Sequence, residues 1–344
     1  MSTDPRPVVS VCVANYNGEH LLAECLRSVL AQENAPAFEI IVHDDASTDR
    51  SLEVLSRYPS VRVLAFAENA GFCVSNNRMA DAAAGEFLLL LNNDAQLLPD
   101  ALAVLLLESQ KRSHRAVLGL PQLRPDGRLV ERGSRLDPFA NPIPITGEDE
   151  GPPATVLGAC LWIPAACWRE LGGFPAYFFM NVEDVYLCCR ARMWGMDVRV
   201  ARSSGYLHAG GATFGAGTER AVGGRWVSTV GRRYLSERNK MLVMGVFLPV
   251  PLLLVLLPLH LACLLIEAFA VAAQNRNAAL LRDIYLRAVI DAFALRSEVA
   301  ADRRAIAESA TAGAWELLKR CRITPRKLAL LLEGGLPELR QYTA

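Results

Sequence analysis

The first ninety residues alternate between apolar runs and segments of helical periodicity. VVSVCVAN (8 to 15) reads as a strand, and from Glu19 the apolar residues at 21, 22, 25, 26, 29 and 30 follow the spacing of one helix face. FEIIVHD (38 to 44) predicts a second strand, followed by a short helix at roughly 49 to 57 and a third strand in VRVLAF (61 to 66). A turn at ENAG leads to a helix of roughly 72 to 84, and then Glu86 and Phe87 open the run LLLL (88 to 91). That run has no polar alternation, as expected for a central strand covered on both faces. The order βαβαβαβ calls for a mostly parallel sheet with right-handed crossovers and helices on both faces.

After about residue 112 the pattern loosens. Residues 125 to 154 are rich in proline, glycine and charge, and predict a long connection able to move over a site. Order returns with a strand in TVLGACLWIP (155 to 164), a helix around 165 to 171 and an amphipathic helix from about 183. MDVRVA and SGYLHAGG close this part, and from about 226 the chain is apolar or helix-forming with many arginines. The expected organisation is an α/β domain over 1–225 and a helical, partly membrane-associating region over 226–344.

Composition adds two constraints. The 344 residues carry 36 basic and 36 acidic side chains, so no overall cationic excess exists to neutralise a nucleic acid. A hydrophobic fraction of 52% is high for a soluble enzyme, and its cause is local. Residues 241–266 hold no formal charge apart from His260, and as one helix would measure about 39 Å, enough to cross a hydrocarbon core. Pro249, Pro251 and Pro258 argue against a straight helix, which leaves a span, a broken hairpin and an interfacial segment all open. Basic residues on both sides, Arg232, Arg233, Arg238 and Lys240 before it and Arg276 onwards after it, favour both flanks on the cytoplasmic side. No secretory signal opens the chain, and its nine cysteines form no C-x-x-C pair, as expected of small buried hydrophobes in a reducing compartment.

Chemistry is expected at the carboxyl ends of the strands, where ligands collect in open α/β sheets. Asp44 and Asp45 follow the second strand, Asp94 follows the fourth, and Glu183 with Asp184 opens the late helix. Asp44 can accept hydrogen bonds from a ribose or base edge, whereas Ser47 and Asp49 suit a turn or helix cap. A divalent cation on a substrate diphosphate needs few protein ligands, so Asp94 can suffice, with Asn92 and Asn93 shaping the turn or reaching ribose and phosphate oxygens. Glu183 and Asp184 fit either a helix cap or a general base kept ionised by the helix terminus. His208, before glycines, is a candidate for metal or phosphate contact.

The ordered set VSVCVANYNGEHLL, HDDASTDRS, ENAGFCVSNNRMADAAAGEFLLLLNNDAQLLPDAL, GACLWIPAACWRELGGFPAYFFMNVEDVYLCCRARMWG and LHAGGATFG resembles the family 2 glycosyltransferases of GT-A fold. The likeness extends over residues 7 to 245 and is nearest to a rhamnosyltransferase-like branch that builds cell-surface polysaccharides. It implies that Ala14, Asn15 and Tyr16 lie against the nucleotide, that Asp44 binds the base, with Asp45 beside it a further substrate-binding candidate, and that Asn69, Gly71 and Asn77 line the donor pocket. It makes Asp94 the last acid of a D-x-D-like motif, here reduced to NND, with His208 as a further metal ligand, Asp184 as catalytic base and Glu183 beside it.

The implied activity is inverting transfer of a sugar from a dTDP-, UDP- or GDP-linked donor, rhamnose being the first candidate, with Mg²⁺ or Mn²⁺. The implied acceptor is a hydroxyl of a glycan or lipid-linked acceptor at the cytoplasmic face of the membrane. The alternative is a catalytically silent, sugar-nucleotide-binding subunit of an assembly complex. A sugar-phosphate nucleotidyltransferase would need a glycine-rich basic loop that ANYNGEHLL lacks. A processive synthase would carry Q-x-x-R-W, where this chain has Val222 ahead of Arg225 and Trp226.

Overall fold

The computed structural model describes residues 6–112, 115–147, 151–208, 227–323, 326–327, 335–336 and 338–340. The chain divides into two compact units, one of residues 1–134, 144–192 and 196–209, the other of 135–143, 193–195 and 210–344. Within the expected long connection, Glu148, Asp149 and Glu150 lie outside the described residues, as do the glycines after His208 and the residues Val222, Arg225 and Trp226.

The first unit opens with β1 (Val9–Asn15), α1 (Leu22–Leu30), β2 (Phe38–Asp45), α2 (Ser51–Leu55), β3 (Val61–Phe66), α3 (Phe72–Ala82) and β4 (Phe87–Asn92). It continues with β5 (Ala95–Leu97), α4 (Ala101–Gln110), β6 (Ala116–Gly119), β7 (Gln122–Leu123) and β8 (Leu129–Glu131), whereas β9 (Ser134–Leu136) and β10 (Pro142–Pro144), next in the chain, fall mainly in residues 135–143 of the second unit. After these come β11 (Cys160–Pro164), α5 (Ala165–Leu171), α6 (Glu183–Met193), β12 (Asp197–Val200) and β13 (Tyr206–His208). The connection over 125 to 154, expected as a loop, therefore carries three short strands.

Seven strands form the central sheet in the order β12-β6-β11-β4-β1-β2-β3. β1 runs parallel to β2 and β4, and β2 to β3, so the carboxyl ends of four strands open on one edge. β11 is the exception, antiparallel to both β4 and β6. Phe87 to Leu91 are all buried, because β4 is flanked on either side and covered on both faces. α1 seals one face through Leu22, Cys25, Leu26 and Val29, the i, i+3, i+4, i+7 set of an amphipathic helix. A second sheet of four strands, β5-β13-β7-β8, sets His208 opposite Ala95.

β11 is shorter than the strand expected over 155 to 164. Its first half leaves the ladder because Gly158 donates its N–H to Asp184 at 2.9 Å and the Ala159 carbonyl accepts from the Asn92 N–H at 3.0 Å. Once those groups bond elsewhere, a neighbouring strand cannot use them.

The second unit contains β14 (Val227–Thr229), α7 (Val230–Phe247), α8 (Val250–Gln274), a π-helical stretch (Leu281–Leu286), α9 (Arg287–Ala294), α10 (Arg296–Ser309), α11 (Trp315–Leu318) and β15 (Glu338–Arg340). The Thr229 hydroxyl caps α7 by accepting from the Arg232 N–H at 3.3 Å. Pro249 and Pro251 separate α7 from α8, as a residue lacking an N–H does at a helix start. Pro258, expected to break the segment, lies inside α8, which continues through it. Several buried charged groups inside this unit are paired. Glu237, fully buried, meets Lys240 and Lys327 at 2.8 Å each, and Glu267 meets Lys327 at 2.7 Å, Tyr285 at 2.9 Å and Arg233.

Candidate active site

The loops after β1 and β2 are stitched together. Asp49 accepts from the Glu19 N–H and Glu19 accepts from the Arg50 N–H, each at 2.9 Å, while the Ser51 hydroxyl accepts from the Gly18 N–H at 3.0 Å. Ser47 takes the Asn17 N–H at 2.9 Å. Ser47 and Asp49 therefore hold the loops in place, matching their reading as turn and cap residues.

From this base a line of side chains crosses three strand ends. Asn15, at the end of β1, donates through Nδ2 to Asp44 Oδ1 at 2.8 Å, and its Oδ1 accepts from Asn93 Nδ2 at the same distance. Ser47 adds its hydroxyl to Asp44 at 2.6 Å. The Asn15–Asn93 bond passes so close to Gly18 that any Cβ there would strike both side chains. Asn15, Asp44 and Asn93 are buried, so these bonds form in a medium where loss of one partner leaves an unpaired polar group.

The line ends at Asp94. Its Oδ1 lies 3.0 Å from His208 Nε2, because β13 pairs with β5 immediately beyond the turn. Two atoms beside this pair, Asn92 Oδ1 and His208 Nδ1, are buried without a hydrogen-bond partner among the described residues. A buried, unanswered acceptor two residues before this carboxylate suits a ligand that brings its own donors or a cation. No group of three His, Cys, Asp or Glu side chains suited to a metal occurs among the described residues. A cation held here would take Asp94 and His208 from the protein, and the remaining positions would fall to a diphosphate and water, the usual situation for Mg²⁺.

Glu183 and Asp184 are delivered by a strained loop. Phe179, Asn181 and Val182 have φ of 62°, 67° and 71°, the left-handed region that a β-branched residue such as Val182 rarely enters. Each such residue costs about 1–3 kcal/mol, so the surrounding structure must enforce the conformation. It does so partly through α3, where the Cys73 N–H donates to the Phe179 carbonyl at 3.0 Å. Gly71, with φ of 88°, presses against the Phe179 ring where a Cβ would not fit.

Asp184 Oδ2 accepts from Gly158, and Oδ1 accepts from the Val185 N–H at 2.7 Å. Burial raises the Asp184 carboxyl above the usual aspartate range, and those two N–H groups only partly offset it. Glu183 is buried beside Gly158. Asp94 and Asp184 belong to one neighbourhood. Both carboxylates help push up the phenol of Tyr206, after burial itself, and Asn92 bonds Ala159 next to the Gly158 that holds Asp184.

Other expected donor-pocket residues serve the backbone. Asp45 accepts the Ala70 and Gly71 N–H groups at 2.9 and 2.8 Å, and Asn69 accepts Gly71 at 3.1 Å, so together they shape the 69–71 turn. Asn77 clamps Phe174 through both its carbonyl, at 2.7 Å, and its N–H, at 3.0 Å. Ala14 and Tyr16 flank Asn15 and are each half-buried. His43 is buried and stacks on Phe66 with ring centroids 4.7 Å apart, and burial lowers its pKa, which favours the neutral ring.

Residues that sequence patterns did not single out also line a separate cleft of about 410 Å³. Arg112, Arg132, Arg199 and Arg202 border it with Glu108, and Asp197 pairs with both Arg112 and Arg199. These arginines come from three distant segments and carry no motif that would unite them in the sequence.

Comparison with known proteins bears on this arrangement. Residues 10–155 match the model of Glycosyl transferase family 2. The N-acetylglucosaminyl-diphospho-decaprenol L-rhamnosyltransferase of Mycobacterium tuberculosis is 29% identical over 218 residues, which are 54% of this chain and 69% of that one. The O-antigen biosynthesis protein RfbC of Myxococcus xanthus is 27% identical over 220 residues, 59% of this chain and 17% of its own. The crystal structure of GalNAc-T7 with UDP, GalNAc and Mn²⁺ has a TM-score of 0.55 at 16% identity, over 70% of this chain and 48% of that chain, a likeness of fold. The chain spans 34%, 17% and 41% of the lengths of the first three curated relatives it matches.

Proposed function

We propose, from the match of residues 10–155 to the model of Glycosyl transferase family 2 and the likeness of fold to a UDP-bound structure, that the protein transfers a sugar from a nucleoside diphosphate to an acceptor hydroxyl with inversion. The observation that carries the reading is the hydrogen-bonded line Asp44–Asn15–Asn93, which leads to the Asp94–His208 pair, while Asn92 bonds Ala159 beside the Gly158 N–H that holds Asp184.

In this reading Asp44 and Asn15 orient the nucleoside, and Asn92 and Asn93 hold the diphosphate end. Asp94 and His208 would hold Mg²⁺ or Mn²⁺, which when bound supplies charge neutralisation for the departing diphosphate. Asp184 accepts the proton of the acceptor hydroxyl as its oxygen bonds to the anomeric carbon. The bond from that carbon to the diphosphate breaks on the opposite face, the electron pair leaves with the diphosphate, and the configuration inverts. Burial raises the Asp184 pKa, which makes its ionised form a stronger base than an exposed aspartate.

The donor is a thymidine diphosphate sugar, with rhamnose the first candidate, and the acceptor is lipid-linked and reached from the cytoplasmic face of a membrane. The name of the rhamnosyltransferase relative supports rhamnose and a lipid-linked acceptor. A panel of dTDP-, UDP- and GDP-sugars with Mn²⁺ tests the reading by thermal shift and donor hydrolysis. One class should stabilise the fold by about 2.7 kcal/mol at a hundredfold excess over its Kd and be slowly hydrolysed. Stabilisation without hydrolysis or transfer would identify a silent binding subunit, and no response to any donor would remove the donor site.

A further inference from the structure

Helix α8 is apolar all round, yet only one side of it is covered. His260, Leu264, Ala268 and Val271 are buried within the second unit. On the other side Leu254 and Ile266 are each 71% exposed, Val255 65% and Phe269 59%. The uncovered side of α9 repeats the pattern, with Ile290 and Phe293 more than half exposed. A helix apolar on every side belongs in a core or in lipid, and isolated soluble proteins seldom leave so long an aliphatic face in water.

The inward side fixes how that face can be met. Glu267, the one acid in the run from Val250 to Val271, is turned inward to Arg233, Lys327 and Tyr285. For α8 to stand alone across a bilayer it would have to leave α7 and the π-helical stretch, exposing this ion cluster to hydrocarbon. An unpaired charge there is the costliest arrangement available. A helix lying in the membrane plane keeps the cluster closed and immerses only the outer side.

Charge selects the occupant. Between Asn275 and Arg296 the chain carries Arg276, Arg282, Arg287 and Arg296, all exposed, against Asp283 and Asp291. In a two-fold pairing with a second copy the same cationic surplus would be presented by both partners. An anionic leaflet instead meets that surplus with opposite charge.

We infer that α8 and α9 form a monotopic membrane-binding face, with α8 parallel to the surface of an anionic leaflet and its Leu254, Val255, Ile266 and Phe269 side immersed. The inference deepens the proposed lipid-linked acceptor and rests on that reading for its purpose. Its test needs neither donor nor acceptor, so the two can fail separately.

The full chain is floated with vesicles of phosphatidylcholine alone and with phosphatidylglycerol added. Depth is read by lipid-attached quenchers from a fluorophore on Cys263, an exposed thiol of α8, in a Cys321→Ser background, the remaining cysteines being buried. The same label is placed by Val255→Cys and Phe269→Cys, each combined with Cys263→Ser. Flotation should rise at least tenfold with the anionic lipid, and the three positions should report one shallow depth. Leu254→Ser with Ile266→Ser should abolish flotation and leave the thermal transition in place, since both side chains point outward. Depths that progress along the helix by about 21 Å between 255 and 269 would show a span and overturn the inference. So would absence of flotation, or a concentration-dependent dimer in lipid-free buffer that the double variant dissolves.

Discussion

Asp184→Asn is expected to bind nucleoside diphosphate as the wild type does and to lose about 10²- to 10⁴-fold in kcat, the usual worth of a positioned general base. Asparagine keeps one oxygen for either Gly158 or Val185, so the local fold survives with one backbone N–H less well answered. The pH profile separates a base from a structural cap. Burial raises the Asp184 pKa, and only the ionised form can take the acceptor proton. Wild-type kcat should therefore fall as the pH drops through that raised value, with an acid limb above the ordinary aspartate pKa of about 3.9. The variant's residual activity should show no such limb. Full activity in Asp184→Asn would take the base role from this residue, whatever the family likeness.

Asp94→Ala is expected to lose about 10²- to 10³-fold in turnover, the scale for removing one group that stabilises developing charge. It should also flatten the dependence on divalent cation. Asp94 is buried and bonded to His208 at 3.0 Å, so its removal leaves the Nε2 of that imidazole without the carboxylate it meets. Chelation of the wild type should reproduce the loss, and added Mn²⁺ should restore the wild type while leaving the variant inactive. Wild-type turnover that persists after exhaustive chelation would remove the cation from the mechanism and leave Asp94 as a partner of His208 alone.

The strands at the centre of the sheet were legible because burial on both faces demands uninterrupted apolar runs, as in Phe87 to Leu91. Strand ends were legible for the complementary reason. Asn15, Asp44 and Asp94 are polar residues at the places where those runs stop, and the parallel register brings them to one edge. What local pattern could not convey is which polar residues also bond backbone far along the chain. Asn77 bonds Phe174 across 97 positions, and Asp45 bonds Ala70 and Gly71 across about 25. Both carry the residue types of a donor pocket, and only the folded chain reveals these partners. The shortened β11 has the same origin, since TVLGA has strand propensity but its Gly158 and Ala159 groups bond to Asp184 and Asn92. Pro258 was misjudged because a proline within a helix removes a single bond, and the apolar residues around it keep α8 continuous.

The most direct measurement is a crystal structure of the protein soaked with Mn²⁺ and a nucleoside diphosphate, read for anomalous scattering from the metal. The expected result is a manganese peak in coordination contact with the Asp94 carboxylate, the diphosphate on the metal, the base beside Asp44, and Asp184 facing the open side of the β-phosphate. A diphosphate held instead in the cleft of Arg112, Arg132, Arg199 and Arg202, with no metal at Asp94, would contradict it.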